Sequence, residues 1–162
     1  MDRTPIAPRA VERVRATLAA HGLTDVAVRE FAETTATAKD AAAAIGTTVG
    51  RIVKSLVFLA GDQPILVLAS GTNRVDLDKL GKLVDGTIKR ANADEVRNHT
   101  GFAIGGVPPI GHSQSLRTFI DQDLLQYDEV WAAAGTPNTV FPIDPDQLMR
   151  ISDARAADLA LA

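Results

Sequence analysis

The 162-residue sequence predicts an α+β fold with a mixed, mostly antiparallel sheet. Two observations carry that expectation. Helical and strand periodicities are interleaved without a regular βαβ rhythm, and several strand candidates are joined by tight turns. The composition supplies a third: 46% hydrophobic and 23% charged residues suit a packed core and exclude a disordered chain. A chain this long is expected to form one domain, residues 1–162.

The elements are expected in the following order. Val11, Val14 and Leu18 recur at helical spacing within Pro8–His21, and Gly22 ends that helix. Val26 to Phe31 alternates as a short strand. Thr37 caps an alanine-rich helix, Ala38 to Ile45, which Gly46 closes. Ile52 to Leu59 and Pro64 to Ala69 flank Gly61-Asp62, a hairpin of two buried strands. Leu77, Leu80, Leu83 and Val84 share one face of a helix within Val75–Val84. Thr87 to Ala91 reads as a short strand, and Asn92 caps a helix over Ala93 to His99 that stops at Gly101. The segment Gly105-Gly106-Val107-Pro108-Pro109-Ile110-Gly111 is a loop, too rich in glycine and proline for a helix or a central strand. Strands follow at Leu116–Ile120, Glu129–Ala134 and Thr139–Ile143. Asp144-Pro145 opens a last helix, and the alanine-rich tail after Ser152 carries no pattern.

Charge and cysteine usage remove several function classes. Lys and Arg total 17 against 20 Asp and Glu, a net charge of -3, so nucleic acid can be gripped only by a local basic patch. The chain has no cysteine, which excludes a disulfide framework, a thiolate nucleophile and cysteine-ligated metal. The opening MDRTPIAPRA lacks the apolar run of a leader, and no stretch is apolar enough to span a bilayer, so the cytoplasm is the expected compartment.

Three features stand out chemically. Lys54 interrupts a strand otherwise suited to burial on both faces. It reads either as an edge lysine reaching solvent or as a cation at the floor of a pocket. The Gly105 to Gly111 loop allows close approach of main chain to a ligand and frees amides for a carbonyl or phosphate; a tight structural crossing explains it equally well. His112 follows that loop, but no second histidine or carboxylate stands beside it at metal-ligand spacing. Ser55, Ser113 and Ser115 lie near these features outside any nucleophile elbow. No cofactor or metal is expected.

The order of segments is more informative than any one of them. Thr37-Ala38, Ala41-Ala42 and Ile45-Gly46 lead to Ile52-Val53-Lys54-Ser55-Leu56-Val57-Phe58 and then to Arg74-Val75-Asp76 with Lys79-Leu80. Glu95-Val96, Thr100-Gly101-Phe102, the Gly-Gly-Val-Pro-Pro-Ile-Gly-His run, Trp131, Gly135 and Phe141-Pro142-Ile143 follow. Together they resemble the YbaK family, the editing domain also found inserted in bacterial prolyl-tRNA synthetases, over residues 31–148. The resemblance implies a compact, barrel-like mixed sheet flanked by helices. It also implies trans-editing: hydrolysis of the ester joining a wrong amino acid to tRNA, with tRNA(Pro) carrying alanine, cysteine or another small residue as the usual substrate class and alanine, serine, threonine or similar as the expectation for this chain. By motif, Lys54 corresponds to the lysine central to activity. Gly105, Gly106, Val107, Pro108 and Gly111 correspond to the loop that holds the aminoacyl moiety, with His112 beside it. Ser55 is expected to tune the pocket, and Thr35, Thr37 and Gly135 to stand in its walls. Ala132 to Asn138 departs from the Ser-Gly-Gly-Lys arrangement of cysteine-specific members. The implied partners are the acceptor end of a mischarged tRNA and a synthetase such as prolyl-tRNA synthetase, with the chain a monomer or weak homodimer. The rival reading is a non-catalytic tRNA- or nucleic-acid-binding module using Arg51, Lys54, Lys89 and Arg90.

Overall fold

A computed structural model describes residues 6–162, with side chains from Arg9 onward; Met1 to Pro5, part of the segment that argued against a leader, lie outside the described residues. Helix α1 (Ile6–Ala20) is followed by β1 (Arg29–Glu30), α2 (Ala38–Ile45), a 3-10 turn (Val49–Arg51), β2 (Val53–Ala60) and β3 (Gln63–Ser70). Then come α3 (Leu77–Val84), β4 (Ile88–Arg90), α4 (Ala93–Thr100), β5 (Arg117–Asp121) and a 3-10 turn (Gln122–Gln126). The chain ends with β6 (Val130–Ala133), β7 (Thr139–Ile143), α5 (Pro145–Ser152) and β8 (Arg155–Ala157). No helix among the described residues is long and apolar enough to cross a membrane.

The expected end signals operate as physical caps. The Thr37 hydroxyl accepts from the Asp40 amide and Gly46 takes a left-handed φ of 85° behind α2. Asn92 and Glu95 form a reciprocal capping box at the start of α4. Asp144 caps α5, whose first residue is Pro145.

The strands form two sheets, ordered β1-β7-β6 and β4-β2-β3-β5-β8. β1-β7, β2-β3, β2-β4 and β6-β7 run antiparallel, whereas β3-β5 and β5-β8 run parallel, so the sheet is mixed and mostly antiparallel. A bridge between Ile52 and Trp131 links the two sheets. The β2-β3 register turns Val53 and Val57, with Leu66 and Leu68, toward a core shared with α1, α4, α5, β6 and β7. It turns Phe58, Ile65, Val67 and Ala69 toward a second core with Leu80 of α3, Phe119 and Leu159. Burial on both faces explains why β3 reads as an uninterrupted apolar run.

Two segments differ from expectation. Within Val26 to Phe31 the strand itself covers only Arg29 and Glu30, opposite Val140 and Thr139, and the Phe31 amide donates to the Asn138 carbonyl beyond it. Val26 and Val28 still pack on the core, so the alternation reports their burial and not a ladder. The patternless tail supplies β8, which pairs in parallel with Phe119 to Asp121, and Leu159 is buried beyond it. An edge strand of three residues needs main-chain partners and one apolar anchor, which leaves little trace in the sequence.

Candidate functional site

A cavity of 380 Å³ opens where β2 passes between the two sheets. Its walls come from the segment before α2 (Thr35, Ala36, Thr37), the first half of β2 with Lys54 and Ser55, the loop at Ile104, Gly105 and Val107, and Trp131 to Ala133 of β6. Most of this lining is methyl groups. The residues with polar side-chain groups are Thr35, Thr37, Ser55, Trp131 and the single charged one, Lys54. A smaller cavity of 100 Å³ adjoins it through Ser55, Leu56, Ile104 and Val107, with Arg90 and Ala91 on its far wall.

Lys54 lies in β2 opposite Ala69, in a stretch that β4 does not reach on the other side, and its side chain is half-buried. Its ammonium donates to the main-chain carbonyl of Asn73. The Asn73 amide in turn donates to Asp121 at 2.8 Å and to Asp123 at 2.7 Å. Asp121 is 1% exposed and also accepts from the Ser70 amide at 3.1 Å and the Asp123 amide at 3.0 Å. This cluster locks the turn after β3 that carries the lysine's acceptor. Burial holds the Lys54 ammonium below the ordinary lysine range; the Asp121 carboxylate opposes that shift, and Arg74 and Arg90 add to it. The result is a cation that faces a mostly apolar space, suited to an anionic group of a ligand or a charge developing in a reaction.

The glycine-proline loop divides into two parts. Gly105, with φ of 91°, and Val107 line the cavity. Gly106, Pro108, Pro109 and Ile110 are buried, and Ile110 and Val107 belong to the core. A Cβ on Gly106 would stand 2.7 Å from the Thr136 carbonyl carbon, so this glycine exists to let two main-chain segments touch. Gly135, with φ of 111°, packs in the same way against Ala10 of α1. Gly111 faces Thr17 and Arg13 of α1. The His112 Nε2 lies 2.7 Å from the Pro108 carbonyl, with the ring edge-on to Phe102. Arg13 covers Phe102 at 4.6 Å and donates to the Gly111 carbonyl at 3.1 Å.

Of the residues singled out in the sequence, Lys54, Ser55, Thr35, Thr37, Gly105 and Val107 converge on one cavity. Gly106, Pro108, Gly111, His112 and Gly135 stand outside that lining; the first four shape the loop from behind, and Gly135 packs on α1. Sequence reasoning missed Trp131, Val140 and Ile104 as wall residues, and Asn73 and Asp121 as the support of Lys54. An Asn in a turn and an Asp ending a strand carry no signal of a shared network. Among the described residues no group of three or more His, Asp or Glu side chains is placed to hold a metal ion.

The chain is 34% identical over 126 residues to the uncharacterised protein YwhH of Bacillus subtilis, spanning 77% of this chain and 80% of that one. It is 25% identical to EbsC of Enterococcus faecalis, named as a candidate Cys-tRNA(Pro)/Cys-tRNA(Cys) deacylase, over 75% of this chain and 76% of that one. It superposes with a TM-score of 0.90 and 45% identity on a crystal structure described as a candidate trans-editing enzyme for prolyl tRNA synthetase, covering 99% of this chain and all of that one. The model of the aminoacyl-tRNA editing domain matches residues 32–151, the stretch that builds every wall of the cavity, and the chain belongs to that family.

Proposed function

We propose that this chain is a trans-editing aminoacyl-tRNA deacylase that hydrolyses the ester of a mischarged tRNA, with tRNA(Pro) bearing alanine, serine, threonine or a similar small residue as its substrate. The observation that carries this reading is the placement of one half-buried lysine in a methyl-lined cavity of 380 Å³, built entirely by residues of the matched family. In this reading the aminoacyl side chain enters among Ala36, Ala41, Ala132 and Ala133, and Thr35, Thr37, Gly105 and Val107 complete the wall. Gly106, Pro108, Gly111 and His112 hold the loop in place, and Gly135 packs on α1.

Water adds to the carbonyl carbon, and the bond from that carbon to the terminal ribose oxygen breaks, releasing the amino acid and the tRNA hydroxyl. Lys54 attracts the terminal phosphate or the charge developing on the carbonyl oxygen. No carboxylate or histidine lines the cavity, so a hydroxyl of the terminal ribose positions the water. With a net charge of -3 the chain grips only the acceptor end, with a synthetase such as prolyl-tRNA synthetase supplying further contacts in the cytoplasm.

The test is deacylation of a panel of mischarged tRNAs by the native chain and by Lys54→Ala. A small-residue ester should be cleaved preferentially, and Lys54→Ala should lose nearly all of the rate while still folding. Tight tRNA binding with no turnover would instead favour the non-catalytic module using Arg51, Lys54, Lys89 and Arg90.

A further inference from the structure

The cavity sits at a gap in a sheet. On the side of β2 away from β3, β4 pairs only with Phe58, Leu59 and Ala60, and the Ala91 amide reaches the Val57 carbonyl at 3.2 Å. At the other end, Ile52 bridges Trp131. Among the described residues, nothing pairs with Lys54 to Leu56 from that side.

The ladder tells which main-chain groups face the gap. In an antiparallel pair, successive residues turn their N–H and C=O alternately toward one neighbour and the other. The Gly71 amide donates to the Ile52 carbonyl across β2-β3, so the even-numbered residues of β2 bond to β3. The Val57 carbonyl accepts from the β4 side, so the odd-numbered residues face the other way. The register from Val53 to Ala60 has no bulge, so both observations place the Ser55 N–H and C=O on the open edge. The Ser55 hydroxyl is also buried with no hydrogen-bond partner, and Ser55 lines both cavities.

An aminoacyl ester has the polar groups of one strand residue: a donor on its α-nitrogen and an acceptor on its carbonyl. Two residues of a hydrogen-bonded antiparallel pair exchange just such groups. The cavity lining has no carboxylate to receive an ammonium, and its one charged side chain is a cation. We propose that the aminoacyl group docks as a one-residue strand on the open edge of β2, its α-ammonium donating to the Ser55 carbonyl and its ester carbonyl accepting from the Ser55 amide. Ser55 thus reads the free α-amino group through its main chain, whatever the amino acid, and the methyl-lined walls read the side chain. The inference rests on the deacylase reading and adds to it a requirement for an unblocked α-amine.

Two measurements test it. Alanyl-tRNA and propionyl-tRNA differ only in the amine, and each enzymatic rate is divided by the uncatalysed rate of the same ester. The normalised rate for the propionyl ester should be lower by about 10- to 100-fold, the worth of a hydrogen bond to a charged group. In amide hydrogen exchange, Ser55 should exchange faster than Lys54 and Leu56 in the free protein. It should become protected when 3′-alanylamino-3′-deoxyadenosine, a non-hydrolysable amide, fills the cavity. Equal normalised rates for the two esters, or bound analogue with an unchanged Ser55 amide, would overturn the docking mode while leaving the deacylase reading intact. A native chain that cleaves no member of the mischarged panel overturns the deacylase reading itself.

Discussion

Replacing Asp121 with alanine tests whether the support of Lys54 is as deeply built as its geometry indicates. Asp121 is 1% exposed and accepts from the Ser70 amide, the Asn73 side chain and the Asp123 amide at 3.1, 2.8 and 3.0 Å. Ser70 is itself buried, so its orphaned amide costs about 1–3 kcal/mol. Asn73 keeps Asp123 as a partner and the Asp123 amide is only part-buried, so each of those losses is nearer 1 kcal/mol. A total of about 4 kcal/mol corresponds, for a chain of this size, to a fall in Tm of about 8–16 °C. The same carboxylate opposes the depression of the Lys54 pKa, so its removal lets the lysine discharge at a lower pH. The alkaline limb of the Lys54-dependent deacylation rate should therefore move toward neutrality, a change that general loosening does not produce. Scanning calorimetry and a pH-rate profile corrected for hydroxide-driven hydrolysis read the two effects. A Tm within about 2 °C of the native value, or an unmoved alkaline limb in a folded variant, would refute this account of the network.

Three further outcomes are expected. Gly106→Ala forces a methyl into the Thr136 main chain and should cost about 1–3 kcal/mol, seen as a lower Tm and weaker deacylation as Gly105 and Val107 shift. Burial is the main cause that holds His112 below the ordinary histidine pKa, with Arg13 adding to it and the Pro108 carbonyl opposing. The unfolded chain therefore binds this proton at a higher pH than the native chain, and stability should fall as pH drops below about 6.5, levelling off once both states are protonated; thermal melts of His112→Gln should show a flatter profile. Ala133→Leu narrows the cavity, so the mischarged panel should lose activity toward the bulkier aminoacyl groups more than toward alanyl.

The elements with local causes are legible in the sequence. Thr37 with Gly46, Asn92 with Glu95 and Asp144 with Pro145 specify their helix ends within a few residues, because a cap is a short-range hydrogen-bond problem. The β2-β3 hairpin declared itself through two apolar runs and a two-residue turn. For the site, the structure brings Lys54, Ser55, Thr35, Thr37, Gly105 and Val107, drawn from three separate segments, to one cavity. The loop does not act as a unit: Gly106 meets Thr136 and Gly111 meets α1, just as Gly135 in the turn after β6 meets Ala10, contacts that span up to 125 positions of chain. Glycine spacing alone does not separate close approach to a ligand from close approach to the protein's own main chain.

The sequence by itself determined the composition of the site: one lysine within an apolar strand, hydroxyls and alanines for walls, and no thiolate. Those are properties of residue types and short-range order. Only the tertiary structure decided how that lysine is held and where the strand is open. The Asn73 carbonyl that receives Lys54 depends on Asp121, 48 positions along the chain from Asn73, and the gap at Ser55 exists because β4 stops pairing at Phe58 while the bridge to β6 lies back at Ile52. Hydrogen-bond partners across a sheet are set by register and by where neighbouring strands end, and both emerge only when distant segments pack together.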